Sequence, residues 1–524
     1  MAKYFAAIVI GSSETEMRIY EFNSKKEMKE IDCVSTRIML GVDAYSDHRL
    51  DPDTVKDLCE VLISFKQIME SYQVTDYKVC ATSAFREIDS SMITRDYIEK
   101  QTGMKIQVIS NSEQRFLDYK SIASESASFE EIIRKGTAII DMGGSSMQIS
   151  VFDNDKLITT QNIRMGKVTS REKYLDEAKN PAHYETIITE LMEHEMNGFA
   201  RLYQKERQII NMIVADPDLL NMLKRQGESS GTDQTQNMDV FTISKKDFMD
   251  FYQEFITLSM AQIGERFQVT ADEASLVIQS MIFCKCLMSN LGAETLWLMD
   301  VTICDGLAYN FGISNKLLVE KHHFEDDIVA ASRRIAKRYK SNAAHIRNME
   351  YLCLEIFDRM KKIHGMKKRD RLLMQIAAIL HNCGKYISLV NVSDCAYNII
   401  MATEIIGLSH EERRIIANVI RYNTAPFEYY EEMASREPIG REEYLLIAKL
   451  TAILRLANAL DRSHKQKFRT AQIALKEDRL VITVTSGADL TLERLTVQER
   501  SPFFEEVFNI RPQIRHKKKL EGGK

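Results

Sequence analysis

The segment Ile139-Ile140-Asp141-Met142-Gly143-Gly144-Ser145-Ser146 constrains the fold more than any other. It reads as a β-strand running into a glycine-tight turn, with an acid near the strand end. Such a turn brings backbone N–H groups up to a phosphate, and the acid stands where a metal ion could be held. The pattern recurs near the N-terminus, where Phe5-Ala6-Ala7-Ile8-Val9-Ile10 leads into Gly11-Ser12-Ser13. One such turn alone reads as a plain hairpin. Two of them, each after an apolar strand, point to two lobes that face one phosphate cleft.

The chain has 524 residues, enough for three or four domains with ample core. A formal charge of −5 argues against a general nucleic-acid coat and makes any polyanion site a local one. The nine cysteines include no C-x-x-C pair that would suggest zinc or a redox couple, and their scatter fits a reducing cytosol. The N-terminus lacks a basic region followed by a long apolar run, and no later apolar stretch reads as long as the roughly 18 residues a membrane span needs. The expectation is a cytoplasmic protein with neither membrane nor nucleic acid among its partners.

Alternation marks two strands around the first turn over residues 4–22, and Leu58, Val61, Leu62, Phe65, Ile68 and Met69 carry helical spacing over 51–72. A strand at Tyr77–Ala81, a helix over 92–102, a strand at Lys105–Ile109 and a helix from about Ser112 follow. The pattern then restarts, with strands at 137–141, 147–153 and 157–164 and long helical stretches beyond. Residues 226–239, rich in Gly, Ser, Thr, Gln and Asn, read as a mobile polar insertion. From about 312 the chain turns helical, with an amphipathic helix over Arg369–Leu380, and strands return after Phe468. The basic tail Arg515–Lys519 reads as a solvated end. Alternation by itself gives only an α/β class.

Four blocks carry a resemblance to a known family. They are Val9-Ile10-Gly11-Ser12-Ser13-Glu14, Ala81-Thr82-Ser83-Ala84-Phe85-Arg86, Ile109-Ser110-Asn111-Ser112-Glu113-Gln114-Arg115, and Asp141 to Gln148. In order and approximate spacing they resemble the D-x-G-S-N-S, A-T-[SN]-A-x-R, I-S-G-x-E-E-A-R and D-I-G-G-G-S-T-E blocks of the Ppx/GppA family of exopolyphosphatases and guanosine pentaphosphate phosphohydrolases. Gly166 and Gly306 match family glycines. Leu380-His381-Asn382-Cys383-Gly384-Lys385 is similar to the L-H-D-x-G-K core of HD domains, and Arg455 to Ser463 resembles their later R-L-A-x-x-L-D-R-S segment. The resemblance implies an α/β region followed by a mostly α region. Two actin-like lobes of the sugar-kinase superfold would span 1–125 and 126–311, a helical HD-like domain 312–466, and a small αβ segment 467–524.

The activity so implied is release of terminal orthophosphate from inorganic polyphosphate or a guanosine polyphosphate, assisted by Mg2+ or Mn2+. Phosphoanhydride hydrolysis needs a positioned water, neutralised non-bridging oxygens and usually a divalent metal. Carried over block by block, Glu113 would orient or deprotonate the water, Arg86 would clamp a phosphate oxygen and Asp141 would hold the metal. Gly11, Ser12, Gly143, Gly144 and Ser146 would form the phosphate cradle. Each has a bland alternative. Glu113 follows Ser110 by three residues, the spacing of a capping box; Arg86 suits a surface ion pair; Asp141 suits a turn cap.

The chain also departs from the family pattern. Val9 and Gln148 stand where acids are expected, Ser13 and Ser145 replace an asparagine and a glycine, and a third turn aligns with Ala215-Asp216-Pro217, which has no glycine. Loss of two carboxylates lowers the affinity expected for a hard cation. In the HD-like region His345, His381 and Asp461 are in place but the central aspartate is Asn382, so a helical module without a competent metal centre is expected. Its basic run, Lys361 to Arg371, either faces solvent or contacts polyphosphate. The alternative to an enzyme is a regulator that binds polyphosphate or a guanosine tetra- or pentaphosphate; a sugar or acetate kinase ranks last. A homodimer is the assembly the resemblance implies.

Overall fold

The computed structural model describes residues 3–125, 132–154, 156–174, 181–204, 207–230, 240–320 and 322–517. The chain forms two compact units, Met1–His323 and Phe324–Lys524. Residues 231–239 of the polar insertion, and the tail after Lys517, lie outside the described residues, and Gly227 to Ser230 end the helix Pro217–Ser230.

In the first unit, β1 (Lys3–Ile10), β2 (Glu14–Phe22) and β3 (Met28–Arg37) form an antiparallel meander. β4 (Asp76–Ala81) and β5 (Ile106–Val108) add in parallel on the other side of β1, giving the order β3-β2-β1-β4-β5. Every residue from Phe5 to Ile10 is buried, because β1 is central and covered on both faces. Ala6, Ile8 and Ile10 meet Leu58, Leu62 and Phe65 of the helix Pro52–Ser71, while Phe5, Ala7 and Val9 meet Leu307 and Ala308 of the helix Ile303–Ser314. A strand so covered reads as a continuous apolar run.

The second sheet contains β6 (Thr137–Met142), β7 (Met147–Asp153), β8 (Lys156–Ile163), β9 (Asn211–Ala215), β10 (Val240–Ser244) and β11 (Thr295–Met299), in the order β10-β11-β9-β6-β7-β8. Its core includes the helices Pro181–Phe199 and Ala271–Leu291. Ala271–Leu291 is the one described helix long and apolar enough to cross a membrane by length and composition, and 83% of its apolar window is buried inside the protein. β3, β9, β10 and β11 are not announced by the sequence pattern. β3 is an edge strand carrying Lys29, Glu30 and Asp32, a composition that guards an edge rather than alternating. β9 to β11 are five residues each, too short to break the helical pattern around them.

The second unit is mostly helical. The helices Phe324–Arg338, Ala343–Arg359, Lys368–Leu380, His410–Arg421 and Arg441–Leu460 bury one face each. A sheet follows, β12 (Gln472–Lys476), β13 (Arg479–Thr485) and β14 (Arg511–Lys517), in sequence order. β13 and β14 run parallel, which requires a crossover, supplied by the helix Thr491–Phe508.

Candidate active site

The β1–β2 and β6–β7 hairpins share one design. Gly11 N–H donates to Glu14 O at 2.8 Å, and Gly143 N–H donates to Ser146 O at 3.0 Å. Val9 stands opposite Glu16 in the first hairpin, and Asp141 opposite Gln148 in the second. Position 9 therefore corresponds to 141, and 16 to 148. Each hairpin keeps one acid at these two places, on the second strand in the first lobe and on the first strand in the second.

The two turns meet across a cleft of about 190 Å³. A Cβ on Gly144 would lie 2.2 Å from Ser12 Oγ, so glycine is what lets the turns approach. Gly166 backs the second turn in the same way, since a Cβ there would lie 2.2 Å from Gly144 O. Lys167 and Val168 at the start of the helix Lys167–Tyr174 donate their N–H groups to Gly143 O and Gly144 O, each at 3.0 Å. Gly11 and Gly143 spend their own N–H groups closing the turns. Those of Ser12, Ser13, Gly144 and Ser145 make no protein hydrogen bond among the described residues, which leaves them for an anion.

The helix Asn111–Glu125 brings Gln114 and Asp118, one turn apart, to the cleft wall. Glu113 is placed elsewhere. Its Oε2 accepts from Ser110 N–H at 2.9 Å and its N–H donates to Ser110 Oγ at 3.3 Å, the reciprocal cap of a helix start. Gln114, not Glu113, is among the residues lining the cleft. Arg86, on the short helix Ser83–Glu87, donates to Ile109 O at 2.8 Å and, through both terminal nitrogens, to Gln114 Oε1 at 3.2 Å. Burial and the neighbouring Arg115 bring its guanidinium down to about 10, so it stays charged at neutral pH.

Arg115 received no role from the sequence, although it lies inside a quoted block. It is buried and donates to Gln148 Oε1 at 2.6 Å, Asn162 Oδ1 at 2.5 Å and Ser146 Oγ at 3.3 Å, with its Nε 3.6 Å from Asp141 Oδ2. Asp118 was also missed; its only sequence signal is the four-residue step from Gln114. Burial, and then the Asp141 carboxylate, push the Asp118 acid well up. Burial likewise raises Asp141, against the pull of Arg115, Arg86 and Lys167.

At the third turn position the chain places an ion pair in place of a glycine cradle. Asp216 is fully buried and accepts from Lys167 Nζ at 3.0 Å, Ser280 Oγ at 2.6 Å and Leu219 N–H at 3.1 Å. Burial alone would raise its acid; Lys167 and these hydrogen bonds outweigh burial and hold it below the ordinary aspartate value. Lys167 itself lines the cleft, and its place directly after Gly166 was the signal available for finding it.

In the second unit His345, His381 and Asp461 converge. His345 Nδ1 lies 2.7 Å from Asp461 Oδ2, the two Nε2 atoms of His345 and His381 are 3.0 Å apart, and His381 Nδ1 lies 2.7 Å from Ala378 O. A carbonyl only accepts, so His381 carries its proton on Nδ1 and presents a lone pair at Nε2. His345 thus faces that lone pair with its Nε2 and the Asp461 carboxylate with its Nδ1. The Asn382 carboxamide makes no hydrogen bond to this chain among the described residues. Among the described residues there is also no group of three or more His, Cys, Asp or Glu arranged to hold a metal ion. Much of the basic run is already engaged, Arg369 with Glu412 at 2.6 Å, Arg371 with Asp358 at 2.8 Å and Lys368 with Glu325 at 3.2 Å.

Comparison with known proteins follows the same division. The Ppx/GppA phosphatase family matches residues 22–311, and Ppx/GppA phosphatase domain III matches residues 329–499. A guanosine-5'-triphosphate,3'-diphosphate pyrophosphatase of Pseudoalteromonas translucida is 20% identical over 469 residues, 86% of each chain. A protein of the same name from Aeromonas hydrophila is 19% identical over 496 residues, 92% of each chain. The crystal structure of an exopolyphosphatase from Cytophaga hutchinsonii shares the fold, with a TM-score of 0.52 at 11% identity over 60% of this chain and 100% of that one. With one match covering most of the first unit and another most of the second, the chain belongs to the Ppx/GppA phosphatase family.

Proposed function

We infer that this protein hydrolyses the terminal phosphoanhydride of an inorganic polyphosphate or a guanosine pentaphosphate, releasing orthophosphate. The observation that carries the reading is the pair of facing turns in which the N–H groups of Ser12, Ser13, Gly144 and Ser145 make no hydrogen bond among the described residues, with Lys167 in the same cleft. The N–H groups of Ser12, Ser13, Gly144 and Ser145 would receive the non-bridging oxygens of the terminal phosphate, with Lys167 and the nearby Arg86 supplying positive charge. Phosphoryl transfer of this kind asks mainly for positioning and charge neutralisation.

Gln114 lines the cleft, but its Oε1 already accepts from both Arg86 nitrogens, so its carboxamide has an N–H to offer the attacking water and cannot take its proton. A general base contributes on the order of 10²- to 10⁴-fold, so turnover is expected to be slow. Glu113 could take the role the family resemblance gives it only by leaving its cap. Asp141 is the residue that would hold Mg2+ or Mn2+ together with substrate phosphate oxygens, and Asp118 Oδ2, buried nearby without a partner, fits positive charge at this place. A bound ion there would neutralise the phosphate oxygens.

The second reading, a regulator that binds the polyanion without cleaving it, is favoured by one observation, Gln114 in the cleft with Glu113 committed to its cap. Orthophosphate release from long-chain polyphosphate with Mg2+ or Mn2+ separates the two. Slow release by the native protein, retained in Glu113→Gln and raised at least about tenfold in Gln114→Glu, is the result expected of the enzyme. Release lost in a folded Glu113→Gln would return the water to Glu113. No release, alongside measurable polyphosphate binding, would establish the regulator.

A further inference from the structure

Two carboxylates that the family blocks place beside the phosphate turns are missing, at Val9 and Gln148. Gln148 is fully committed, its Oε1 accepting from Arg115 at 2.6 Å and its Nε2 donating to Ser150 Oγ at 2.9 Å. A carboxylate nevertheless stands where the resemblance puts none. Asp118 lines the main cleft together with Asp141, and the same two residues also line a small enclosed cavity of about 10 Å³ adjoining it. That is roughly the room of one water-sized sphere.

Asp118 is 9% exposed and its Oδ2 has no hydrogen-bond partner among the described residues. Leaving a buried carboxylate oxygen without a donor is costly, and a second carboxylate bordering the same space adds repulsion. Arg115 pulls the Asp118 acid down without bonding this oxygen: its hydrogen bonds go to Gln148, Asn162 and Ser146, while Arg86 is directed at Ile109 and Gln114 and Lys167 at Asp216.

We propose that Asp118 and Asp141 together ligate the divalent cation, Asp118 standing in for the carboxylates lost at positions 9 and 148. Ions of magnesium's size bind through one or two carboxylates plus substrate phosphates and keep several waters, so a full protein cage is not needed. Both carboxylates border the same small cavity, and a bound cation would satisfy the unbonded Asp118 oxygen and balance the charge gathered there. The inference rests on the cleft being a phosphate site and adds one residue to it.

The test is titration of the full chain with Mn2+ alone, read by loss of the free-ion paramagnetic resonance signal, with metal-free melting and orthophosphate release measured on the same samples. Native protein is expected to bind Mn2+, and Asp118→Asn to weaken binding at least about tenfold, as Asp141→Asn does. Metal-free Asp118→Asn is expected to melt at or above the native temperature, because the variant removes a repelled, unbonded carboxyl. Unchanged Mn2+ affinity in Asp118→Asn, no Mn2+ binding by native protein up to millimolar concentration, or a variant that melts lower or fails to fold would overturn the assignment. Native release of orthophosphate without Mn2+ binding sinks the Asp118 site and leaves the hydrolase standing; Mn2+ binding that needs Asp118, without any release, does the reverse.

Discussion

Arg115 and Gln148 meet at 2.6 Å in the buried floor of the first unit, and through that contact the helix Asn111–Glu125 is fastened to β7. The same guanidinium reaches Asn162 on β8 and Ser146 at the turn, with Asp141 beside it. One side chain thus fixes the helix that carries Gln114 and Asp118 relative to the second glycine turn.

Removing that guanidinium should be expensive. Arg115→Met takes from Asp141 one of its three cations and strips the donor from the buried Gln148 and half-buried Asn162 carboxamide oxygens. The expected cost is about 3–5 kcal/mol, seen in urea unfolding followed by hydrogen exchange in β6 and β7. Arg115→Lys should recover only part of it, because one ammonium cannot reproduce a planar fork with three acceptors.

Two glycines of the first unit, one behind the second turn and one in a helix, give a contrast that depends on space alone. A Cβ at Gly166 would meet Gly144 O at 2.2 Å and Ser145 C at 2.4 Å, backbone atoms that can yield only if the turn moves. Gly166→Ala should weaken polyphosphate binding at least about tenfold while the far sheet edge keeps its exchange protection. Gly198, inside the helix Pro181–Phe199, has nothing within 4 Å of a built Cβ. Gly198→Ala should bind normally and gain about 0.5–1 kcal/mol of stability.

These relationships also mark what could be read before the structure. The two strand-to-turn hairpins were legible because a glycine after an apolar strand is a local feature, settled within eight residues. Which side chain of the next helix lines the cleft was not. Glu113 and Gln114 differ by about 100° around the helix axis, and the sequence does not say which of them the packing turns inward. Ser110 decides it by engaging Glu113 in the cap. Arg115 and Asp118 were invisible for a related reason: their partners, Gln148, Asn162 and Asp141, lie more than twenty residues away and are brought close by the β6–β7–β8 meander. β3 escaped notice because an exposed edge has no apolar alternation to show.

The histidine chain of the second unit should make that unit acid-sensitive. Burial, and then the His345 ring, hold His381 down at about 3, below the 6.5 of a free imidazole. The unfolded chain therefore binds more protons than the folded one between these values. Stability from this group is complete above about pH 6.5 and is lost as pH falls toward about 3, with about 2 kcal/mol gone between pH 7 and pH 5. His464, stacked on His345 with ring centroids 3.6 Å apart, is lowered to about 4 and acts in the same direction. Exchange protection of peptides from Ala343–Arg359 and Lys368–Leu380, corrected for intrinsic rate, should fall across this interval. The fall should flatten in His381→Asn.

Lys167 and Asp216 offer a test in which the two halves of one ion pair move ligand affinity in opposite directions. Lys167 Nζ is 3.0 Å from Asp216 Oδ2, and only the lysine lines the cleft. If the pair merely supports the fold, breaking it from either side should loosen polyanion binding. If Lys167 serves the phosphate site, Asp216 competes with the ligand for its ammonium. Asp216→Asn keeps an acceptor for Leu219 N–H and frees the cation, so polyphosphate affinity should rise about fivefold, roughly 1 kcal/mol. Lys167→Ala should lower affinity about tenfold, lose its share of the salt dependence, and destabilise the unit by about 3–5 kcal/mol by leaving a fully buried carboxylate alone. Calorimetric titration with a defined short polyphosphate at two ionic strengths reads both signs, and a fall in affinity in both variants would assign the pair to the scaffold.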